Sequence, residues 1–245
     1  MILRKKFCLS LCAILAAACL ASPAACADIR SRISKATKGF KDVTLTCRIL
    51  YANHAELKKI GKDFAIQYEF KTATVRYKSP NKLKMEGKLG IVKAAVVING
   101  DRKLTRFIYS KRENIRDKPH KRQTDFDIGI ISDSLWRDYI ITGTATQKAS
   151  ETSVYKITFV RGNSRGKKHI CWVDPKTLKL LKVEKYESDG TLKSKYVYSN
   201  HSLINGLIWV PGRVDVYNQD GKLAGTSVYE NVKVNTGIPD SVFKF

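Results

Sequence analysis

Apolar and polar residues alternate along most of the chain. Val43, Leu45, Cys47, Ile49 and Tyr51 are apolar at period two, and so are Phe64, Ile66, Tyr68 and Phe70 against Gln67, Glu69 and Lys71. Alternation of this kind predicts half-buried β-strands. Val75 and Tyr77 continue in a new phase, which places a turn or bulge at 72–74. Leu83 and Met85 follow Pro80-Asn81. Ala94, Val96 and Ile98 run into Asn99-Gly100-Asp101, and Phe107 and Tyr109 then return, a hairpin pattern. Further strands are predicted over 154–160, 169–173, 180–186, 193–199, 207–217 and 222–234. Asp189-Gly190 and Asp220-Gly221 supply hairpin turns, and Asp174-Pro175 opens another.

Two stretches break the alternation. Ile29, Ile33 and Ala36 recur at helical spacing over 28–38, and Gly39 ends that segment. Residues 117–127 are polar and basic, with a proline, and read as a loop. After them Leu135, Trp136 and Tyr139 fall at helical spacing within 130–141, with Ser132 or Asp133 as N-cap, which predicts a short covering helix. No Pro/Gly/Ser-rich linker and no solenoid repeat divides the chain. The expectation is one mainly β domain of about ten antiparallel strands with two helical pieces. A sheet of that length curls or splits. Its concave apolar side is either filled by side chains, giving a plain barrel or sandwich, or left open for an apolar ligand. Periodicity alone leaves both open.

The N-terminus has its own pattern. Arg4, Lys5 and Lys6 precede an apolar run from Phe7 to Leu20. Ser22-Pro23 breaks the run, and Ala25-Cys26-Ala27 puts small residues before Asp28. This is a secretory signal over 1–27, with the domain proper over 28–245. A retained anchor and lipidation at Cys19 or Cys26 are the alternatives, although neither cysteine has Leu three residues before it. Loss of 1–27 removes four of six cysteines. The remaining Cys47 and Cys171 would meet an oxidising compartment, where they either pair as a disulfide or serve as small core residues on separate strands.

Lys and Arg number 45 against 22 Asp and Glu, a net charge of +23. With 43 % hydrophobic residues the chain has material for a core, which excludes disorder as its main state. Strong basicity suggests nucleic acid, but predicted export argues against it. The charge is spread along the chain, with short clusters. It forms either a solvated surface or an attraction to anionic lipid headgroups, worth about 1 kcal/mol per Lys or Arg. Lys118, Lys121 and Arg122, in the loop before the covering helix, are the predicted membrane-docking cluster.

Reactive chemistry is sparse. Gly162-Asn163-Ser164-Arg165-Gly166 matches the nucleophile-elbow string, but a strand is predicted after it where that motif needs a helix. His54, His120, His169 and His201 have no metal-ligand spacing and read as surface residues. No phosphate-cradling glycine loop and no carboxylate pair stands out. The chain reads as a non-enzyme without cofactor or metal.

The ordered segments resemble the periplasmic lipoprotein-carrier family of the LolA/LolB type. A signal peptide and short amphipathic helix are followed by Val75 to Glu86, which is similar to that family's strand, proline turn and returning strand. Val96 to Asp101 resembles its next hairpin. Trp172 to Leu178, with 182–190 after it, resembles its strand–turn–strand beyond the lid. Asn231 to Asn235 and Ile238 to Phe245 resemble its ending. The resemblance implies an unclosed antiparallel β-barrel capped by helices, whose interior accommodates the acyl chains of lipoproteins or lipids in outer-membrane lipoprotein sorting. It implies an envelope transporter or acceptor protein as partner. The same fold serves RseB-like sensor or regulatory modules, which is the alternative function. On this reading Leu45, Ile49, Phe64, Ile66, Tyr68, Leu83, Met85, Val96, Ile98, Tyr155, Ile157 and Phe159 face inward as the lipid-binding cavity. Leu135, Trp136 and Tyr139 cover it. Arg48 falls in the opposite parity to Cys47 and Ile49 and points out.

Overall fold

The structure is a computed structural model that describes residues 23–107, 111–115, 123–149, 152–162 and 166–244. Thirteen strands form one antiparallel sheet in the order β6-β5-β4-β3-β2-β1-β15-β14-β11-β10-β9-β8-β7. Its first half contains β1 (Asp42–Ala52), β2 (Phe70–Lys78), β3 (Lys82–Leu89), β4 (Val92–Asn99), β5 (Arg102–Phe107) and β6 (Lys111–Ile115). The second half contains β7 (Tyr139–Ala149), β8 (Thr152–Arg161), β9 (Lys168–Val173), β10 (Leu180–Tyr186), β11 (Leu192–Ser199), β14 (Arg213–Asn218) and β15 (Leu223–Val234). A separate hairpin, β12 (Ser202–Ile204) and β13 (Ile208–Val210), sits between β11 and β14 in the chain. The class is therefore the expected unclosed antiparallel sheet, with more strands than the ten counted from periodicity.

Most connections are tight hairpins at the expected places. Asn99 pairs with Arg102 across Gly100-Asp101, and Asp189-Gly190 and Asp220-Gly221 turn β10 into β11 and β14 into β15. The phase change near Thr72 is a bulge, where the β2–β3 register shifts between Phe70 and Ala73. The segment predicted as one strand over 207–217 is two strands, because Pro211-Gly212 interrupts the ladder between β13 and β14.

Among the described residues three helices lie against the sheet: α1 (Pro23–Ala36), α2 (His54–Ile60) and α3 (Lys62–Gln67). α1 packs through Ile29 and Ile33, both of which survive a cleavage after Ala27. α2 starts at Asn53, whose side chain accepts from the Glu56 N–H, and buries Leu57 and Ile60 three residues apart. α3 corrects the sequence reading. Phe64, Ile66 and Tyr68 belong to a helix and its C-terminus, and the strand that follows starts only at Phe70. The spacing from Phe64 to Tyr68 is four residues, which a helix places on one face as readily as a strand does. Ile66 then falls on the other side and is 40 % exposed.

The chain passes from edge strand β6 to edge strand β7 through a covering segment. Its described residues hold two 3-10 turns, Asp125–Ile128 and Asp133–Arg137, in place of the expected α-helix. Ser132 is the N-cap of the second, accepting from the Ser134 N–H, and Tyr139 already opens β7. Two apolar clusters share the concave side. One joins β7–β11 and β14–β15 to α1, α2, Phe126 and Leu135. The other joins β1–β4 to the β12–β13 hairpin, Ile128 and Ile130. The covering segment thus contributes to both. On the other side of the sheet the C-terminal tail seats Ile238 and Phe243 against Val97 and Leu104. Buried Asp42 fastens this tail by accepting from the Thr236, Gly237 and Ile238 N–H groups.

Candidate functional site

A cavity of about 200 Å³ lies where the two apolar clusters meet. β1–β4 supply Cys47, Ile49, Val75, Leu83, Met85, Val96 and Ile98. α3 and the residue after it supply Phe64, Gln67 and Tyr68, and the covering segment supplies Gln123, Asp127 and Ile128. The far wall holds Lys185, Tyr196, Tyr198, Val214, Val216, Ser227 and Tyr229. The roof is held close. Gly225 of β15 has no side chain because a Cβ there would lie 2.3 Å from the Tyr68 ring. Gly129 adopts φ +74° at the end of the first 3-10 turn, and a Cβ there would meet Pro211 and Tyr198 at 2.8 Å. Lys103, buried on β5, donates to Asp63 of α3 at 2.8 Å and fastens the start of that helix.

Among the residues expected to face a cavity, Ile49, Phe64, Tyr68, Leu83, Met85, Val96 and Ile98 line this one. Leu45 is buried in the cluster beside it. Leu135, Tyr139, Ile157 and Phe159 are buried in the other cluster, with Trp136 and Tyr155 packed against it. That side is filled by aromatic rings. Phe126 meets Phe159 at 5.1 Å and Tyr139 at 5.3 Å, edge to face, and Trp136 stacks on Phe159 at 6.1 Å. Tyr155 accepts a hydrogen bond from Arg32 of α1 at 2.6 Å. Lys118, Lys121 and Arg122 lie outside the described residues.

Cys47 and Cys171 are free thiols rather than a disulfide. Burial pushes the Cys47 thiol up to about 11, against a hydrogen bond to Ser227, and raises the Cys171 thiol as well. Both stay protonated and unreactive at neutral pH. His169 is not a surface residue. Its ring packs between Phe126 and Tyr139, at 5.7 and 5.3 Å, and burial, with Lys185 and Arg161 nearby, drives its pKa down to about 3. The imidazole is therefore neutral. β8 and β9 pair antiparallel on either side of 162–166, so the elbow-like string joins two strands and lacks the helix that motif requires. Among the described residues no group of His, Cys, Asp and Glu could hold a metal ion. No described helix is long and apolar enough to cross a membrane.

The charged residues of the cavity lining form one ion pair, which the sequence did not reveal. Lys185 of β10 donates to Asp127 of the covering segment at 3.0 Å. The second Asp127 carboxylate oxygen accepts from the Thr124 N–H at 2.9 Å. Burial opposes the charge on each partner. Lys185 and the Thr124 N–H nevertheless hold the Asp127 pKa below the usual carboxylate range. Asp127, with Tyr196 and Tyr139, raises that of Lys185. Both residues line the cavity, with 20 % of the Lys185 side chain and 26 % of the Asp127 side chain accessible, and Asp127 as a whole is an exposed residue. A signal was present: Lys185 shares strand parity with buried Val183, so it stands in the inward phase of β10.

Residues 122–245, half of the chain, match the model of a family described as "Uncharacterized protein". The chain belongs to this family. No curated protein matches the sequence. Solved structures match the fold of this family member over nearly its whole described length. A LolA superfamily protein from Nitrosomonas europaea does so at TM-score 0.61 and 12 % identity, covering 90 % of this chain and 97 % of that one. A DUF1329 family protein from Desulfovibrio piger does so at TM-score 0.53 and 13 % identity, covering 89 % and 95 %. An outer membrane lipoprotein-sorting protein domain from Vibrio parahaemolyticus matches at TM-score 0.49 and 12 % identity, covering 89 % and 94 %. At such identities the likeness is one of fold, and the fold is LolA-like, as the sequence resemblance implied.

Proposed function

We propose that the protein is a non-catalytic carrier of acyl chains, exported to the periplasm, that holds its cargo in the cavity between the sheet and its cover. The observation that supports this most is the partly enclosed, largely apolar cavity at the meeting of two clusters. Apolar surface left uncovered inside a fold costs stability unless a ligand fills it. The cavity is smaller than the roughly 300–1,000 Å³ of small-molecule sites. A long chain therefore enters only if Phe64 and Tyr68 of the roof yield. A secretory signal over 1–27 and the LolA-like fold agree with such a role. The direct test is displacement of an uncharged fluorescent hydrocarbon probe by acyl compounds, with mass spectrometry of lipid co-purified from the envelope. Saturable binding at one site is expected. No probe binding and no co-purified lipid would end the carrier reading.

Delivery of acyl chains needs contact with a bilayer, and we propose the β3–β4 turn as the point of contact. Ile91 at its tip is 94 % exposed, and exposed Lys88 and Lys93 face each other across the hairpin below it. The turn lies at the end of the sheet where α3 leads into β2, since Phe70 pairs with Leu89. Burying an isoleucine contributes about 1.5–3 kcal/mol, and each lysine about 1 kcal/mol near anionic lipid. The protein should sediment with anionic vesicles and much less with neutral ones. Binding should weaken as salt shortens the screening length from about 10 Å at 0.1 M to about 3 Å at 1 M. Ile91→Ser combined with Lys88→Gln and Lys93→Gln should lower vesicle affinity at least about tenfold. Unchanged sedimentation of that variant would reject the turn as the contact.

A further inference from the structure

Two charged side chains in the wall of an apolar cavity are an unusual choice. Each ion loses part of its hydration, since 20 % of the Lys185 and 26 % of the Asp127 side chain stay accessible, and an apolar pair of similar volume would close the same wall without that penalty. The Lys185–Asp127 pair also joins two separate parts of the site, a sheet strand and the covering segment. We propose that this pair recognises the polar linkage of the cargo, and that the cavity selects uncharged acyl esters or amides over free fatty acids. The inference rests on the carrier reading and adds the class of headgroup.

The donors and acceptors fit that class. A lysine ammonium has three N–H donors, and Asp127 takes one of them at 3.0 Å. A carbonyl oxygen of an ester or amide can accept another. Tyr196 lies beside the ammonium, with its ring centroid 4.9 Å from the Lys185 nitrogen, and Tyr229 and Ser227 add hydroxyls to the same wall. A carboxylate ligand at this point would meet the Asp127 carboxylate as well as the ammonium. The pair is neutral as a unit, so it offers hydrogen bonds to a dipole and no net attraction to an anion. Beside the apolar wall, where less water screens the charges than in bulk, that distinction is larger than in open solution.

The test compares palmitate, methyl palmitate and hexadecane as displacers of an uncharged hydrocarbon probe from the full exported protein, at a pH where palmitate is ionised. Methyl palmitate is expected to bind at least about tenfold more tightly than palmitate, a difference of about 1.4 kcal/mol. Asp127→Asn keeps an acceptor for the Thr124 N–H and leaves Lys185 as an unpaired cation. It should shift the ratio toward palmitate by about tenfold or more. The double variant Asp127→Asn with Lys185→Met leaves no uncompensated charge. It should bind methyl palmitate and hexadecane alike, and it carries the test if the single variant does not fold. Equal binding of palmitate and methyl palmitate by the unmodified protein would overturn the inference and leave the carrier reading standing. So would a ratio that neither variant changes. Failure of all three compounds to displace the probe would overturn both.

Discussion

Truncating Phe159 to alanine is expected to cost about 3–5 kcal/mol of stability, while truncating Phe64 should cost clearly less. Phe159 is fully buried, and its ring touches those of Phe126, Trp136 and Tyr139. Removing it leaves a void that rigid aromatic neighbours on strands and a capped turn are poorly placed to fill. Phe64 instead borders a cavity that already exists, so its loss enlarges a space and breaks fewer contacts. Its ring meets Tyr68 at 5.4 Å and Tyr196 at 6.2 Å. Phe64→Ala should therefore act mainly on ligand affinity, by loosening the roof. Urea unfolding of both variants, with probe titration alongside, separates the two effects. Equal folding costs would mean that the space beside Phe64 behaves as packed core and is no site for cargo.

Asp125→Ala should lower stability by about 3 kcal/mol or more, because it strands several buried donors at once. Asp125 is fully buried and accepts from the hydroxyls of Tyr77, Ser132 and Ser134. Burial raises its pKa, and the three hydroxyl donors only partly oppose that. Tyr77 belongs to β2, whereas both serines belong to the second 3-10 turn region, so one carboxyl ties the covering segment to the sheet and to itself. Asp125→Asn retains an acceptor of the same size and should recover part of the loss. Amide exchange over 123–137 should quicken in the alanine variant ahead of exchange in β1 and β15. A loss below about 1 kcal/mol in the urea midpoint would show that the hydroxyls find other partners.

Strands were readable because one face of the sheet is buried and the other is lysine-rich, which makes period two visible. The limits predicted for β10, 180–186, agree with the structure, and the turns at Asp189-Gly190 and Asp220-Gly221 fall where the dipeptides place them. The roof was hidden for a local reason. Phe64 and Tyr68 satisfy both periods, and only the exposed Ile66 between them tells helix from strand. The covering segment read as an α-helix because Leu135, Trp136 and Tyr139 have helical spacing. A 3-10 turn ended by Asp138 places the first two similarly and releases Tyr139 into β7. The polar pair was obscured by composition. In a chain with 45 Lys and Arg, one more lysine on a strand attracts no notice, and Asp127 closes a stretch that reads as loop. His169 was set aside for a related reason, since no sequence feature reports that aromatic rings enclose it.

The covering segment is the link between the two free edges of the sheet. Its described part, 123–138, runs directly into β7 at Tyr139 and is fixed to the sheet at that end. A displacement that lifts Phe126 and Ile128 from the interior pulls on β7, into which the described part of the cover runs. β6 and β7 are edge strands held by one neighbour each, so they are the least restrained members of the sheet. Raising the cover and moving the β7 edge are then one coordinate. A cross-link between the cover and β2 would fix the size of the interior, and a cut just before Tyr139 would uncouple that size from the position of the β7 edge.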